Sequence, residues 1–233
     1  MATFHLKFIS ILATFLIGTS LANAAMITVT DLDTLNIGAK IVGPVGPDVE
    51  VSLINSDGDS VGDLRSSVSC PDGFTTCAPP TNPTGTIYTY THTVIPGIDN
   101  PNDAPFPNPS TVLAFDDVIG FSLGFEAIGF NGVAGYSFAE AFNADISFEL
   151  ELTATGELNW TTNSDGWDTA EEVTFFWQTT QAPSGPGGTF NVNNADGTAS
   201  GRGPLPRALP VPEPMALGLI LVGLLGLRVT KRK

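Results

Sequence analysis

From Asp145 to Thr153 the chain reads DISFELELT, and Ile146, Phe148, Leu150 and Leu152 alternate without a break with Ser147, Glu149, Glu151 and Thr153. Successive side chains leave opposite faces of a strand, so a period of two buries one face and wets the other. A helix would scatter the same apolar residues around its circumference. The pattern recurs. Thr86 to Val94 sets Tyr88, Tyr90, His92 and Val94 against Thr89, Thr91 and Thr93, and Asp48 to Ile54 groups Val49, Val51 and Leu53. Val118 to Ala127 aligns Ile119, Phe121, Leu123 and Phe125 opposite Gly120, Ser122 and Gly124. Glu172 to Thr180 is apolar on both sides, with Val173, Phe175 and Trp177 against Phe176, which predicts a strand covered on both faces. Shorter candidates are Met26 to Thr30, Ile37 to Val42, Gly135 to Phe142 and Thr189 to Val192.

Turn chemistry separates these runs: Asn55-Ser56-Asp57-Gly58, Asn131-Gly132 and Asn163-Ser164-Asp165-Gly166. Gly135 to Phe142 is open to helix through Ala139, Glu140 and Ala141, but Tyr136 and Phe138 favour a strand. Pro96 to Ser110, with five prolines, reads as an extended surface loop, and Asn193 to Pro210 as a Gly/Pro-rich linker. Many short strands between Gly, Pro and Asn turns predict an all-β fold, an antiparallel β-sandwich with the jelly roll as one version of it.

The two ends carry a different message. Lys7 precedes an apolar stretch of 14 residues, Phe8 to Leu21, and small residues follow at Ala22-Asn23-Ala24. This is the three-part pattern of a secretory signal peptide, with cleavage expected after Ala24 or, second, after Ala25. At the other end Val211-Pro212-Glu213-Pro214 leads into 13 apolar residues, Met215 to Leu227, and a tail with Arg228, Lys231, Arg232 and Lys233. At ~1.5 Å per residue the run covers roughly 20 Å, short for a ~30 Å hydrocarbon core. Pro212 and Pro214 keep it from extending upstream, and the cations favour the cytoplasmic side.

Those ordered elements, Pro212-Glu213-Pro214, a run punctuated by Gly218, Gly223 and Gly226, and the basic end, resemble the PEP-CTERM sorting signal of exported bacterial proteins. The resemblance covers about a tenth of the chain, and Val229 and Thr230 interrupt the basic block. It implies recognition by a membrane protease of the exosortase type, cleavage near Pro212-Glu213-Pro214, at least transient membrane attachment, and frequent association with extracellular polysaccharide. The expected organisation is a signal peptide over residues 1–24, an acidic β domain over 25–192, a linker over 193–210 and the sorting signal over 211–233. The expected address is the cell surface or extracellular space.

Charge narrows the partners. Without the terminal segments, 23 acids face four cations (Lys40, Arg65, Arg202 and Arg207). Such a surface repels phosphate backbones, so nucleic acid is excluded, and anionic polysaccharide would need bridging cations. Solubility alone also accounts for it. Cys70 and Cys77, flanking a Pro-Asp-Gly turn outside the cytoplasm, are expected to form one structural disulfide.

The search for chemistry yields little. His92 is the only histidine left after the leader, and it shares a strand face with tyrosines, which reads as packing. Carboxylate pairs such as Glu149 with Glu151, Asp116 with Asp117 and Glu171 with Glu172 could serve a glycosidase, but 23 acids produce pairs by chance. Asn55, Asp57, Asp59 and Asp63 alternate in a Gly-bearing stretch and offer a Ca²⁺ loop, with Asn163, Asp165 and Asp168 as a shorter second one; an Asx-rich hairpin turn is the preferred explanation. No other cofactor is expected. The sequence therefore points to a non-enzymatic structural or binding protein. A Ca²⁺-assisted carbohydrate-binding module, with Tyr88, Tyr90, Trp160 and Trp167 as stacking residues, is the second reading, and a carboxylate glycosidase the third.

Overall fold

A computed structural model describes residues 24–41, 49–71, 77, 82–102, 109, 111–163 and 165–208. The fold is all-β. Its strands are β1 (Ala25–Ile27), β2 (Thr30–Asp31), β3 (Val49–Ile54), β4 (Ser60–Ser69), β5 (Tyr88–Pro96) and β6 (Gly120–Leu123), then β7 (Phe130–Tyr136). Among the described residues one α-helix, α1 (Phe138–Asn143), precedes β8 (Phe148–Leu152), β9 (Leu158–Thr162), β10 (Val173–Thr179), β11 (Pro183–Asn193) and β12 (Thr198–Pro206). All twelve belong to one sheet in the order β1-β8-β9-β6-β11-β12-β3-β4-β5-β10-β7-β2, antiparallel except where β2 joins β7.

The sheet is rolled so that one face meets itself. Phe121 on β6 stacks on Phe175 of β10 with centroids 4.5 Å apart, and Phe190 on β11 lies 4.2 Å from the His92 ring on β5. The Trp160 indole N–H on β9 donates to the Gly135 carbonyl on β7 at 3.0 Å. None of these strand pairs is adjacent in the sheet. The period-two sets drive this: Phe148 and Leu150, Tyr88, Tyr90 and Val94, and Val51 and Leu53 are all buried. Each large side chain so removed from water contributes about 1.5–3 kcal/mol. Val173, Phe175, Phe176 and Trp177 are all fully buried, matching a strand covered on both faces.

Five sequence expectations change. Thr198–Pro206, read as linker, is a strand paired with β11 along its length and with Ile54 of β3 at Ser200. Its glycines serve packing: a Cβ on Gly201 would press on Leu64 and Val51 at 3.0 Å, and one on Gly203 would meet the Phe190 ring at 2.7 Å. The β domain therefore runs past residue 192 to Pro206. Gly135–Phe142 divides into the end of β7 and helix α1. Ser137 caps that helix, its Oγ accepting from the Glu140 N–H at 3.2 Å, while the Glu140 carboxylate accepts from Thr174 N–H on β10 at 2.6 Å. The Ser137-x-x-Glu140 spacing is the sequence signal for that start. Asn131-Gly132 lies within β7 instead of closing a turn, Asn131 Oδ1 accepting from Val133 N–H at 3.0 Å. Ile37–Val42 contributes, among its described residues, isolated bridges at Lys40 and Ile41 and no strand. Pro96, assigned to the loop, is the last residue of β5.

Cys70 and Cys77 sit at disulfide distance, their Cα atoms 5.5 Å apart, and the Asn82 amide N–H contacts the Cys70 Sγ at 3.1 Å. Closing so short a loop is expected to contribute about 2–3 kcal/mol. Reduction should lower the melting temperature, while thiol counting on the denatured, unreduced protein should find none; two titratable thiols would exclude the bond. Among the described residues no helix is long and apolar enough to cross a membrane.

Candidate functional site

The face of β4, β5 and β10 turned away from the core carries the hydroxyls. The alternation that buries Tyr88, Tyr90 and His92 sends Thr89, Thr91 and Thr93 to the other side. Cross-strand register then builds a ladder. Ser67 Oγ and Thr91 Oγ1 bond at 2.7 Å, Thr93 and Thr174 hydroxyls at 2.9 Å, and Gln178 Nε2 donates to Thr89 Oγ1 at 3.1 Å. Beside the ladder a groove of about 340 Å³ adds Lys40, Glu50, Arg65 and Glu172. Arg65 and Glu172 form an ion pair of 2.8 Å across its rim. Two of the four cations between residues 25 and 207 thus collect at one groove in an otherwise acidic chain. Hydroxyls donate and accept, so the groove can hydrogen-bond a neutral polar ligand while its charges fix orientation.

A second cleft, about 440 Å³, opens where the β3–β4 and β11–β12 turns meet residues 113–117; Asn55, Asp57, Asp116, Asp117, Asn194 and Asp196 line it. Its asparagine side chains are committed to holding the turns. Asn55 Oδ1 accepts from the Asp57 and Asp59 amides at 3.0 Å each, and Asn194 Oδ1 from those of Asp196 and Gly197 at 3.0 Å each. Hydrogen bonds from Thr169 hold the Asp116 carboxyl below its usual range. Gly58, at φ 89°, supplies the left-handed step that the β3–β4 turn requires.

The expected Ca²⁺ loop is taken apart by this geometry. Asn55 acts as a turn acceptor and Asp57 faces the end cleft, whereas Asp63 lies inside β4 and is fully buried. The second set fares similarly, with Asp168 Oδ1 accepting from the Asp117 amide at 3.0 Å to join two loops. Among the described residues no group of three or more His, Cys, Asp or Glu side chains converges to hold a metal ion. Tyr88, Tyr90, Trp160 and Trp167 are core residues, so none presents a ring face to a sugar.

His92 is enclosed as well. The Trp177 indole donates to its Nε2 at 3.2 Å, and its Nδ1 lies 3.0 Å from Ser66 Oγ. Because an indole nitrogen only donates, Nε2 is the unprotonated nitrogen and Nδ1–H donates to the serine. Burial pushes the ring down to about 3. Ala24 precedes β1, and Ala25 is its first residue, paired with Leu152. Pro212, Glu213, Pro214, Arg228, Lys231, Arg232 and Lys233 lie outside the described residues. Sequence reasoning missed β4, and with it the positions of Ser67 and Arg65; its buried serines disguise a strand that the Val61, Leu64 and Val68 pattern marks only weakly. Compared with known proteins, the chain matches no family model, no curated protein and no solved structure.

Proposed function

We propose that the chain is an exported β-sandwich protein of the cell envelope or extracellular matrix. It is sorted by residues 211–233, cut beside Pro212-Glu213-Pro214 by an exosortase-type membrane protease, and serves there as a structural or binding element without catalysis. The single observation that carries this reading is the ordered C-terminal pattern of Pro212-Glu213-Pro214, a short apolar run and clustered cations. An apolar run of 13 residues leaves roughly 10 Å of hydrocarbon unspanned, which suits a halt for processing better than a lasting anchor. Ring contacts between distant strands, such as Phe121 on Phe175, support the sandwich. The last strand ends at Pro206, and Arg207 N–H still bonds the Ala182 carbonyl at 2.8 Å, so the folded domain reaches to within five positions of Pro212.

Mass spectrometry of the mature protein from a host carrying the protease tests the reading. The expected mass lacks the tail. Glu213→Ala, and joint replacement of Arg228, Lys231, Arg232 and Lys233, should each disturb maturation and leave the melting temperature of the domain unchanged. A mature wild-type protein complete to Lys233 would replace the sorting signal with a plain anchor. The hydroxyl-lined groove favours carbohydrate binding as the second reading, now without aromatic stacking. A glycan screen with and without Ca²⁺ decides it.

A further inference from the structure

Asp63 occupies a position that asks for a partner. It lies in the middle of β4, opposite Ser52 of β3 and Ile95 of β5, on the face away from Leu64, Ser66 and Val68. That face would be wet, yet Asp63 is 0% exposed because the chain after β5 folds back over it. The covering segment is tied down by polar contacts. Gly97 N–H donates to the Val61 carbonyl at 2.8 Å, Asn100 Nδ2 to Asp63 Oδ2 at 3.0 Å, and Ser52 Oγ to Asn102 Oδ1 at 2.8 Å, while Ser60 Oγ bonds the Asp99 carboxylate.

Acids crowd together at this position. Glu50, two residues from Ser52 on the same face of β3, lies within hydrogen-bond reach of the Asp63 carboxyl, and Asp99 adds a further negative field. Two carboxylates have no proton to donate to each other, and among the described residues Asp63 Oδ1 has no hydrogen-bond donor. The cation on the same strand, Arg65, is engaged with Glu172 at 2.8 Å. Burial and these neighbouring acids push Asp63 up to about 7. Burying a carboxylate without compensation costs several kcal/mol, so a proton or a cation must complete the site.

We propose that Asp63 and Glu50 form the charged half of a Ca²⁺ site, completed by neutral oxygens of the covering residues 97–102 and by water, which pins that segment onto β3 and β4. Ca²⁺ accepts six to eight oxygens from carboxylates, amides, hydroxyls and water, so two carboxylates with neutral donors suffice and no third acid is required. Among the described residues oxygen is the only donor on offer: His92 faces the opposite side of the sheet, and Cys70 and Cys77 face each other. This excludes the softer transition metals, and the mixed side-chain set on strands and a loop suits Ca²⁺ better than the strict octahedron of Mg²⁺. The site is distinct from the acidic turn at Asn55 to Asp59.

The test is a thermal melt of the purified full-length protein near neutral pH, after EDTA treatment and buffer exchange, with and without CaCl₂. At about 1–10 mM, where extracellular modules bind, Ca²⁺ should raise the melting temperature by about 3–6 °C, and Mg²⁺ by much less. Asp63→Asn and Glu50→Gln should each abolish the shift. Without Ca²⁺, Asp63→Asn should melt no lower than the wild type, since a neutral amide replaces an uncompensated charge; a merely structural carboxylate would give the opposite. Asp57→Asn should keep the full shift. The proposal is overturned if Ca²⁺ leaves the wild-type melt unmoved, which assigns the pair a shared proton, or if the shift survives both Asp63→Asn and Glu50→Gln. Should Asp63→Asn fail to fold, Glu50→Gln decides alone.

Discussion

Phe175→Ala is expected to lower the unfolding free energy by about 3–5 kcal/mol, the range for emptying a buried aromatic site. Phe175 is 0% exposed and lies within a ring of partners, with centroids 4.5 Å from Phe121, 5.0 Å from Phe148, 5.7 Å from Trp160 and 5.9 Å from Trp167. Its own strand, β10, pairs with β5 and β7, whereas Phe121, Trp160 and Phe148 come from β6, β9 and β8. The side chain thus joins two stretches of sheet that share no backbone ladder and otherwise meet through side-chain bonds such as Trp160 to the Gly135 carbonyl. Truncation removes apolar burial, leaves a cavity that bulky rings cannot collapse into, and deletes four aromatic contacts, each worth about 0.5–1.5 kcal/mol beyond area. Phe175→Leu keeps most of the volume and should lose roughly half as much. Urea unfolding measures both. A loss below about 1 kcal/mol for the alanine variant would mean that the rolled faces do not pack as described.

Apart from β10, apolar on both sides, the strands that announced themselves in the sequence are those whose two faces differ chemically. Thr89, Thr91 and Thr93 against Tyr88, Tyr90 and His92 gave both the strand and its sidedness, and the hydroxyl ladder of the groove follows from that alternation. β4 and β12 were hidden for the opposite reason. In β4 nine of ten residues are buried, serines and an aspartate included, so no alternation survives. In β12 the residues are small because Gly201 and Gly203 lie under Leu64, Val51 and Phe190, and smallness imposed by packing looks like flexibility in a sequence. The groove was legible only in part. Its charged members Lys40, Glu50, Arg65 and Glu172 come from four separate segments, and their meeting depends on a strand order that no local pattern encodes. Asp63 misled for a related reason: proximity to Asp57 and Asp59 in sequence suggested a shared loop, but a hairpin separates them along its length.

Acid should destabilise the protein through His92, and the effect can be isolated. In the fold the ring is held neutral at about 3 by burial, against 6.5 when exposed. A depressed value means that the stability contributed by the neutral ring is fully present above pH 6.5 and is lost as the pH falls through about 3, because only the unfolded chain takes up the proton in that window. The span between these values corresponds to about 5 kcal/mol at most. Asp63 works in the reverse sense. Its folded value is raised to about 7 from 3.8, so its contribution is present at low pH and is lost as the pH rises through 7. Between pH 4 and 7 the two oppose each other, and the wild-type profile should be flatter than either alone. His92→Gln keeps an acceptor for the Trp177 indole N–H and a donor for Ser66 but cannot titrate. At pH 8 it should be less stable by about 1–3 kcal/mol through poorer packing against Phe190, and this deficit should shrink or reverse by pH 4. Asp63→Asn should show the opposite tilt, with a steeper loss toward acid than the wild type. Urea midpoints of the three proteins, measured in EDTA from pH 4 to 8, give the slopes directly. Parallel profiles for wild type and His92→Gln would mean that the ring is protonated in the folded state, and the Trp177 indole would then need another acceptor.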